Sequence, residues 1–137
     1  MRAFIDTSSL FKKYVAESGS GELERLLQDV SEIAVSPMTW VEMSAVIARR
    51  VREKSLTSQQ AAWLTSEARK DFQSFHLVVW NETLEATATR LLSRYPLSTL
   101  DAIQLASGIL SKADLFVTSD RGLFEEARKE LRKAVCV

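Results

Sequence analysis

The sequence predicts an α/β fold, a three-layer α/β/α sandwich around a mainly parallel sheet of about five strands. Short apolar runs alternate along the chain with longer stretches of helical periodicity. The apolar runs are unbroken, which is typical of strands that helices cover on both faces. With 137 residues, 46% of them hydrophobic and 26% charged, the chain has the size and composition of one globular domain. We therefore expect residues 1–137 to form a single domain.

Five short apolar runs are predicted to be the strands. They are residues 3–5, 33–35, 77–80, 115–118 and 134–137. Gly and Pro occur only four and two times, so little of the chain is available for linkers.

The first three helices are predicted from apolar spacing and from residues that favour helix starts. Two begin around Leu10 and Leu23, on either side of the Ser/Gly break at residues 18–21. The third is expected to start with Ser36 as N-cap and Pro37 in the first helical position.

The later helices carry clearer start signals. Thr57 and Gln60 have the spacing of a capping box, and Asn81 and Ser98 are the expected N-caps of the next two helices. Residues 123–131 form the last predicted helix. The alternation of strands and helices along the chain is therefore maintained to its end.

Composition excludes several kinds of site. Eighteen basic residues balance eighteen acidic ones, so any nucleic-acid footprint must be local. His76 is the only histidine and Cys136 the only cysteine, which excludes a Ser-His-Asp triad, a zinc site and an intramolecular disulfide. The start of the chain does not have the pattern of a signal peptide, and no apolar run is long enough to span a membrane. We expect a cytoplasmic protein with no membrane partner.

Four acidic residues lie either between a predicted strand and the helix that follows it or near the start of a predicted helix: Asp6, Glu42, Asp101 and Asp120. The carboxyl ends of parallel strands share one edge of a sheet, where ligands bind. Carboxylates gathered at that edge would repel each other unless a cation lay among them. A hard divalent ion held by carboxylates commonly serves phosphate chemistry.

Each acid also has a structural explanation. Asp6 and Asp120 could cap the helices that follow them. Glu42 could be bonded back to Thr39, and Asp101 could complete a capping box with Ser98. The set and its neighbouring residues, rather than any single acid, favour a functional site.

Four segments carry a family resemblance: residues 4–10 (FIDTSSL), 36–42 (SPMTWVE), 100–106 (LDAIQLA) and 116–124 (FVTSDRGLF). Together, and in this order, they resemble the PIN-domain family, and within it the VapC-like toxins of type II toxin–antitoxin systems. The resemblance extends over essentially the whole chain.

The resemblance implies an Mg²⁺- or Mn²⁺-dependent ribonuclease of single-stranded RNA, which commonly forms a homodimer and is silenced by a VapB-like antitoxin. It implies that Asp6, Glu42, Asp101 and Asp120 are the metal-binding, catalytic carboxylates. Ser8 and Thr118 match polar positions beside the first and last acids, where they would orient ligands or waters. Arg121, which follows Asp120, is the basic residue expected nearest the substrate.

Other functions remain possible on the sequence. The main alternative is a PIN module that binds RNA or protein with little or no catalysis. A phosphatase with Asp6 as nucleophile would usually need an acid two residues later, where this chain has Ser8. A receiver-type domain would need an acid on the strand at residues 77–80, which has none. Trp80 in that strand is expected to pack in the core.

Overall fold

Residues 1–137 are described by a computed structural model with five strands and seven helices. The strands are β1 (Arg2–Ile5), β2 (Glu32–Val35), β3 (His76–Leu77), β4 (Leu115–Thr118) and β5 (Ala134–Cys136). The helices are α1 (Thr7–Phe11), α2 (Ser20–Leu27), α3 (Thr39–Arg52), α4 (Ser58–Phe72), α5 (Glu82–Arg94), α6 (Thr99–Leu110) and α7 (Arg121–Glu130). No helix combines the length and apolar character needed to cross a membrane.

The strands form one parallel sheet in the order β3-β2-β1-β4-β5. β1 lies in the centre, and its Phe4 is in register with Ala34 on one side and Phe116 on the other. Parallel neighbours require crossover connections, which the helices provide. The predicted α/β fold with a parallel five-stranded sheet is confirmed.

Alternate residues of the central strands face opposite layers of helices. Ala3 and Ile5 belong to a buried cluster with residues of α1–α4, whereas Phe4 belongs to a second cluster with residues of α5–α7. Side chains of a strand alternate between its two faces, so one apolar run supplies both cores. This arrangement explains why the sequence shows continuous apolar runs.

The edge strand β3 is shorter than predicted. The backbone N–H of Val78 still donates to the carbonyl of Val35, but the chain then leaves the sheet. Val79 and Trp80 are 70% and 48% exposed, so the expectation that Trp80 packs in the core is wrong. An edge strand has a neighbour on one side only, which allows its end to peel away.

The third helix starts later than predicted, at Thr39 instead of Pro37. Ser36 closes a turn before the helix: its hydroxyl accepts from the N–H of Met38 at 2.9 Å, and its own N–H donates to Thr39 Oγ1 at 3.1 Å. The predicted helix start at Ser36 and Pro37 is wrong, because Ser and Pro also favour turns and the turn is what forms here.

The predicted starts of α4, α5 and α6 are confirmed, whereas α1, α2 and α7 begin two or three residues earlier than predicted. Thr57 and Gln60 form the complete capping box of α4. Asn81 and Ser98 cap α5 and α6 through their side-chain oxygens. These signals are local, because a side chain bonds to backbone two or three residues away.

Gly108 of α6 allows the helix to approach the sheet closely. A Cβ there would lie 2.6 Å from Cδ2 of Phe116, whose buried ring stacks on Phe4 at 5.3 Å between centroids.

Gly108→Ala should lower the free energy of unfolding by about 1–2 kcal/mol, because overpacking outweighs the higher helix propensity of Ala. Gly21→Ala in α2 is the matched control, since a Cβ there meets nothing within 4 Å. It should raise stability by up to about 1 kcal/mol. Urea unfolding measures both, and an equal gain in the two variants would contradict the close approach.

Candidate metal centre

The candidate site lies at the carboxyl edge of the sheet, between β1 and β4. The chain fills the sheet from β1 toward β3 and then crosses to the other side of β1 for β4 and β5. Ligands of open parallel sheets bind where the strand order reverses in this way. Asp6 directly follows β1, and Asp120 follows β4 by two residues.

Asp6 is held by three hydrogen bonds although its side chain is almost fully buried, at 4% exposure. Its Oδ1 accepts from the N–H of Ser9 at 2.9 Å and from Ser8 Oγ at 2.8 Å, and its Oδ2 accepts from Thr118 Oγ1. Burial raises the pKa of Asp6 above its ordinary range despite these bonds. Its carboxylate therefore has a defined orientation but is costly to ionise.

The hydroxyl groups around Asp6 connect the ends of β1 and β4. Thr118 Oγ1 accepts from the N–H of Asp120 at 3.0 Å while it donates to Asp6. Ser8 Oγ, which also donates to Asp6, accepts from the N–H of Ser119 at 3.3 Å. Both residues expected from the sequence to orient the site thus contact the first acid directly. Ser9, which was not predicted as a site residue, adds a contact between its hydroxyl and that of Ser119 at 2.9 Å.

Glu42 lies in the first turn of α3 and reaches the same edge from a neighbouring element. Its Oε1 accepts from Thr7 Oγ1 at 3.2 Å and from Gln104 Nε2 at 2.6 Å. Burial raises the pKa of Glu42, these two bonds oppose that rise, and the charges of Asp6 and Asp101 add to it. No hydrogen bond joins Glu42 to Thr39, whose Oγ1 accepts from the N–H of Ser36.

Asp101 and Asp120 complete the group from the other side of the sheet. Asp101 lies in the first turn of α6, where its N–H donates to Ser98 Oγ at 3.2 Å. Burial raises the pKa of its carboxyl, and the charge of Asp120 raises it further. Asp120 is exposed and caps α7 by accepting from the N–H of Leu123 at 3.0 Å. Asp120 therefore caps a helix and also lies at the carboxyl edge of the sheet, which we call the rim.

The four acids act on one another electrostatically, in a chain from Asp6 through Glu42 and Asp101 to Asp120. None of the eight ion pairs in the structure involves any of them. Ionisation of all four would therefore concentrate negative charge at this edge of the sheet, where no basic side chain is paired with them, and a bound cation would relieve the repulsion.

The donor set fits a hard divalent ion by its chemistry. Carboxylate oxygens are the ligands that Mg²⁺ and Mn²⁺ prefer. In the present side-chain arrangement no three acidic, histidine or cysteine side chains are grouped tightly enough to enclose an ion. Mg²⁺ commonly binds through one or two carboxylates and keeps several waters, so a tighter cage is not required.

Arg121 is the first residue of α7 and is exposed beside Asp120. Its guanidinium carbon lies 5.9 Å from the centroid of the Phe124 ring, and the side chain makes no ion pair. The guanidinium is therefore available to a ligand at the rim.

Sequence reasoning missed Thr7 and Gln104, which contact both Glu42 and each other. Both are buried, at 6% and 2% exposure. Gln104 did carry a signal, because it is the one amide in the otherwise small or apolar stretch that follows Asp101. A buried amide requires hydrogen-bond partners.

Comparisons with known proteins show the family and the fold of the chain. A family model of the PIN domain matches residues 3–130. No curated protein sequence matches the chain.

Several solved structures share the fold. FitAcB from Neisseria gonorrhoeae superposes with a TM-score of 0.73 at 13% identity over 97% of this chain and 96% of the other. A toxin–antitoxin complex from Klebsiella pneumoniae gives a TM-score of 0.65 at 22% identity, over 89% of each of the two chains. Mycobacterium tuberculosis VapC20, a toxin that cleaves the sarcin–ricin loop, gives a TM-score of 0.64 at 18% identity, over 83% of this chain and 86% of the other.

The buried carboxyl of Asp6 generates a prediction about pH and stability. Its raised pKa means that the folded protein retains the proton to higher pH than the unfolded chain, so ionised Asp6 lowers stability at neutral pH. With a chelator present at pH 7, Asp6→Asn should therefore raise the free energy of unfolding, because Asn keeps the N-cap and carries no charge. The difference from wild type should shrink as pH falls to about 4, near the ordinary carboxyl pKa. Urea unfolding between these pH values measures it, and a loss above about 1 kcal/mol at pH 7 would show that the carboxylate stabilises the fold.

Proposed function

Because the chain belongs to the PIN-domain family, we propose that it is a divalent-metal-dependent endoribonuclease of single-stranded RNA and the toxin of a VapBC-type toxin–antitoxin pair. The observation that carries this proposal is the set of four carboxylates, each of which interacts electrostatically with at least one other and none of which has a basic partner, at the reversal of strand order. Such a site is suited to a hard cation and, through it, to a phosphodiester. The cytoplasm is the compartment that holds such a substrate.

Each acid has a role in this proposal. Asp6 and Asp101 are the direct ligands of Mg²⁺ or Mn²⁺, while Glu42 and Asp120 bind the ion directly or through water. A bound ion would supply an activated water and neutralise the charge that develops on the phosphoryl oxygens. Ser8 and Thr118 keep the Asp6 carboxylate in one orientation, which lowers the entropic cost of binding the ion.

The basic residue beside the site supports an RNA substrate. Approach of a polyanion to an acidic rim is unfavourable unless basic side chains offset the repulsion. Arg121 is exposed and unpaired next to Asp120, so it can bind a phosphate close to the site. Since VapC20 cleaves the sarcin–ricin loop, that stem–loop belongs among the RNAs to be tested.

A second candidate function has one observation in its favour. No three acidic side chains are grouped tightly enough to enclose an ion, as a PIN module that binds RNA or protein without cleaving would also show. The lack of charge neutralisation at the rim favours the nuclease, because an inert module gains nothing from the repulsion.

The proposed antitoxin partner has a candidate surface near α1, which we call the α1 groove. A cavity of about 500 Å³ lies where the segment after α1 meets α2, and one of about 330 Å³ lies where it meets α4. Tyr14 and Val15 line both cavities, and Trp63, which is 58% exposed, lines the second. An apolar antitoxin segment fits such a surface, and the similar Klebsiella pneumoniae structure is a toxin–antitoxin complex.

The proposed homodimer has a different candidate surface, the β3 edge, which comprises Leu77, Val79 and Trp80. They are 54%, 70% and 48% exposed, and they lie on the edge strand β3 and on the segment that directly follows it. Contiguous exposed apolar side chains at such an edge favour association with another chain.

The metal site predicts a linked loss of Mn²⁺ binding and RNA cleavage. Mn²⁺ at about 100 times its dissociation constant should stabilise the wild-type protein by about 2.7 kcal/mol. Asp6→Asn should abolish this stabilisation and the cleavage of single-stranded RNA. Thermal unfolding with and without Mn²⁺ and mapping of RNA ends measure the two effects.

Asp114→Asn is the matched control, because Asp114 accepts from the N–H of Arg2 at the opposite end of β4. This variant should keep both properties. Undiminished Mn²⁺ stabilisation of Asp6→Asn would show that the ion binds elsewhere. Mn²⁺ stabilisation of the wild type without cleavage of any RNA would favour the binding module.

Two exposed tryptophans, one on each proposed partner surface, allow the two surfaces to be tested independently. Trp63→Ser should weaken binding of the cognate antitoxin about 10-fold or more, since aromatic anchors dominate such interfaces, and should leave self-association unchanged. Trp80→Ser should weaken self-association and leave antitoxin binding unchanged. Titration calorimetry and sedimentation velocity measure the two equilibria, and the reverse pattern would exchange the assignments.

A further inference from the structure

The side-chain amide of Gln104 joins three elements of the site. Its Nε2 donates to Thr7 Oγ1 at 3.0 Å and to Glu42 Oε1 at 2.6 Å, while Thr7 Oγ1 donates to the same oxygen of Glu42 at 3.2 Å. The two amide hydrogens and the one hydroxyl hydrogen are all used in these contacts. The three side chains thus form a closed hydrogen-bonded ring.

This ring crosses from one helical layer to the other. Gln104 lies on α6, whose residues pack against Phe4 and Phe116, whereas Thr7 and Glu42 lie on α1 and α3 on the opposite face of the sheet. Asp101 is one turn before Gln104 on the same helix. The amide therefore ties the layer that carries Asp101 to the layer that carries Glu42, at the edge where both acids lie.

The bonds to Glu42 are asymmetric. Both donors bind Oε1, and no group in the protein donates to Oε2. A carboxylate anchored through one oxygen has a defined orientation and keeps its second oxygen for another ligand. Carboxylates that bind metal ions are typically supported by hydrogen bonds in this way.

Gln104 is poorly explained as a packing residue. Its Oε1 is buried and has no hydrogen-bond partner. Rotation of the amide would not solve this, because it would place an acceptor against Glu42 Oε1. An apolar side chain of similar length would fill the space without a buried, unsatisfied acceptor, which is normally costly.

We propose that Gln104, acting with Thr7, is a positioning residue that holds the Glu42 carboxylate toward the metal site from across the sheet. This inference rests on the proposed function, since the ring has this role only if Glu42 helps to bind a metal ion. Without the ring, Glu42 on the half-buried start of α3 is free to turn toward solvent.

The central test replaces the amide by an apolar side chain of similar length. Gln104→Met should weaken Mn²⁺ binding about 10-fold or more, the usual effect of losing a group that supports a metal ligand. The metal-free unfolding midpoint should stay within about 4 °C of wild type, because the change also removes the unsatisfied acceptor. Titration calorimetry and metal-free thermal unfolding provide the two readouts, neither of which depends on RNA cleavage.

Ser107→Ala is the matched control on the same helix. Ser107 is fully buried and polar, but its hydroxyl donates only to the carbonyl of Ile103. This variant should retain wild-type Mn²⁺ affinity.

Two further comparisons isolate the action through Glu42. Thr7→Ser keeps the hydroxyl and should retain Mn²⁺ affinity, whereas Thr7→Val removes it and should weaken binding. In a Glu42→Gln background, Gln104→Met should cause no further loss, because the group it positions is already changed.

The outcomes separate this inference from the proposed function. Wild-type Mn²⁺ affinity in Gln104→Met, together with loss of binding in Asp6→Asn, would overturn the role of Gln104 and leave the metal site intact. Failure of the wild-type protein to bind Mn²⁺ would overturn both. If Gln104→Met does not fold, the Thr7 pair decides: equal affinities of Thr7→Ser and Thr7→Val would refute the positioning role.

Discussion

The candidate site depends on acidic side chains that the fold gathers and partly buries at the carboxyl edge of its central strands. Asp6 is buried at the end of β1, and Glu42 and Asp101 are half-buried beside it. Burial disfavours the charged form of each. The charges of Asp6 and Asp101 raise the pKa of Glu42 further, and the charge of Asp120 raises the pKa of Asp101. An arrangement of this kind lowers the stability of the metal-free fold, and the divalent ion proposed above would relieve that cost.

The fold supports this site with residues that also have local structural tasks. Asp6 and Asp120 cap the helices that follow them while they face the rim. Thr118 ends β4 and donates to Asp6, so it joins two strands as well as orienting a carboxylate. Local capping and the functional site are therefore complementary explanations of the same acids, and a structural role for one of them is no evidence against a functional role.

The sequence predicted the fold well wherever the signal was local or periodic. The helix starts at Thr57, Asn81 and Ser98 were predicted because a cap bonds to backbone a few residues away. The predicted length of β3 was less accurate, because an edge strand has a neighbour on one side only and its end can leave the sheet. At Ser36 the same residues were compatible with a turn and with a helix start, and the local pattern could not distinguish them.

The sequence by itself determined the parallel α/β fold and the four acidic positions, because unbroken apolar runs and acids at helix starts are visible in the linear order. Only the tertiary structure decided what surrounds those acids. The contacts of Gln104 with Thr7 and Glu42 span 97 and 62 positions of the chain and join opposite faces of the sheet. Hydrogen bonds between residues so distant in sequence follow from the packing of helices on a sheet, which periodicity and capping signals do not specify.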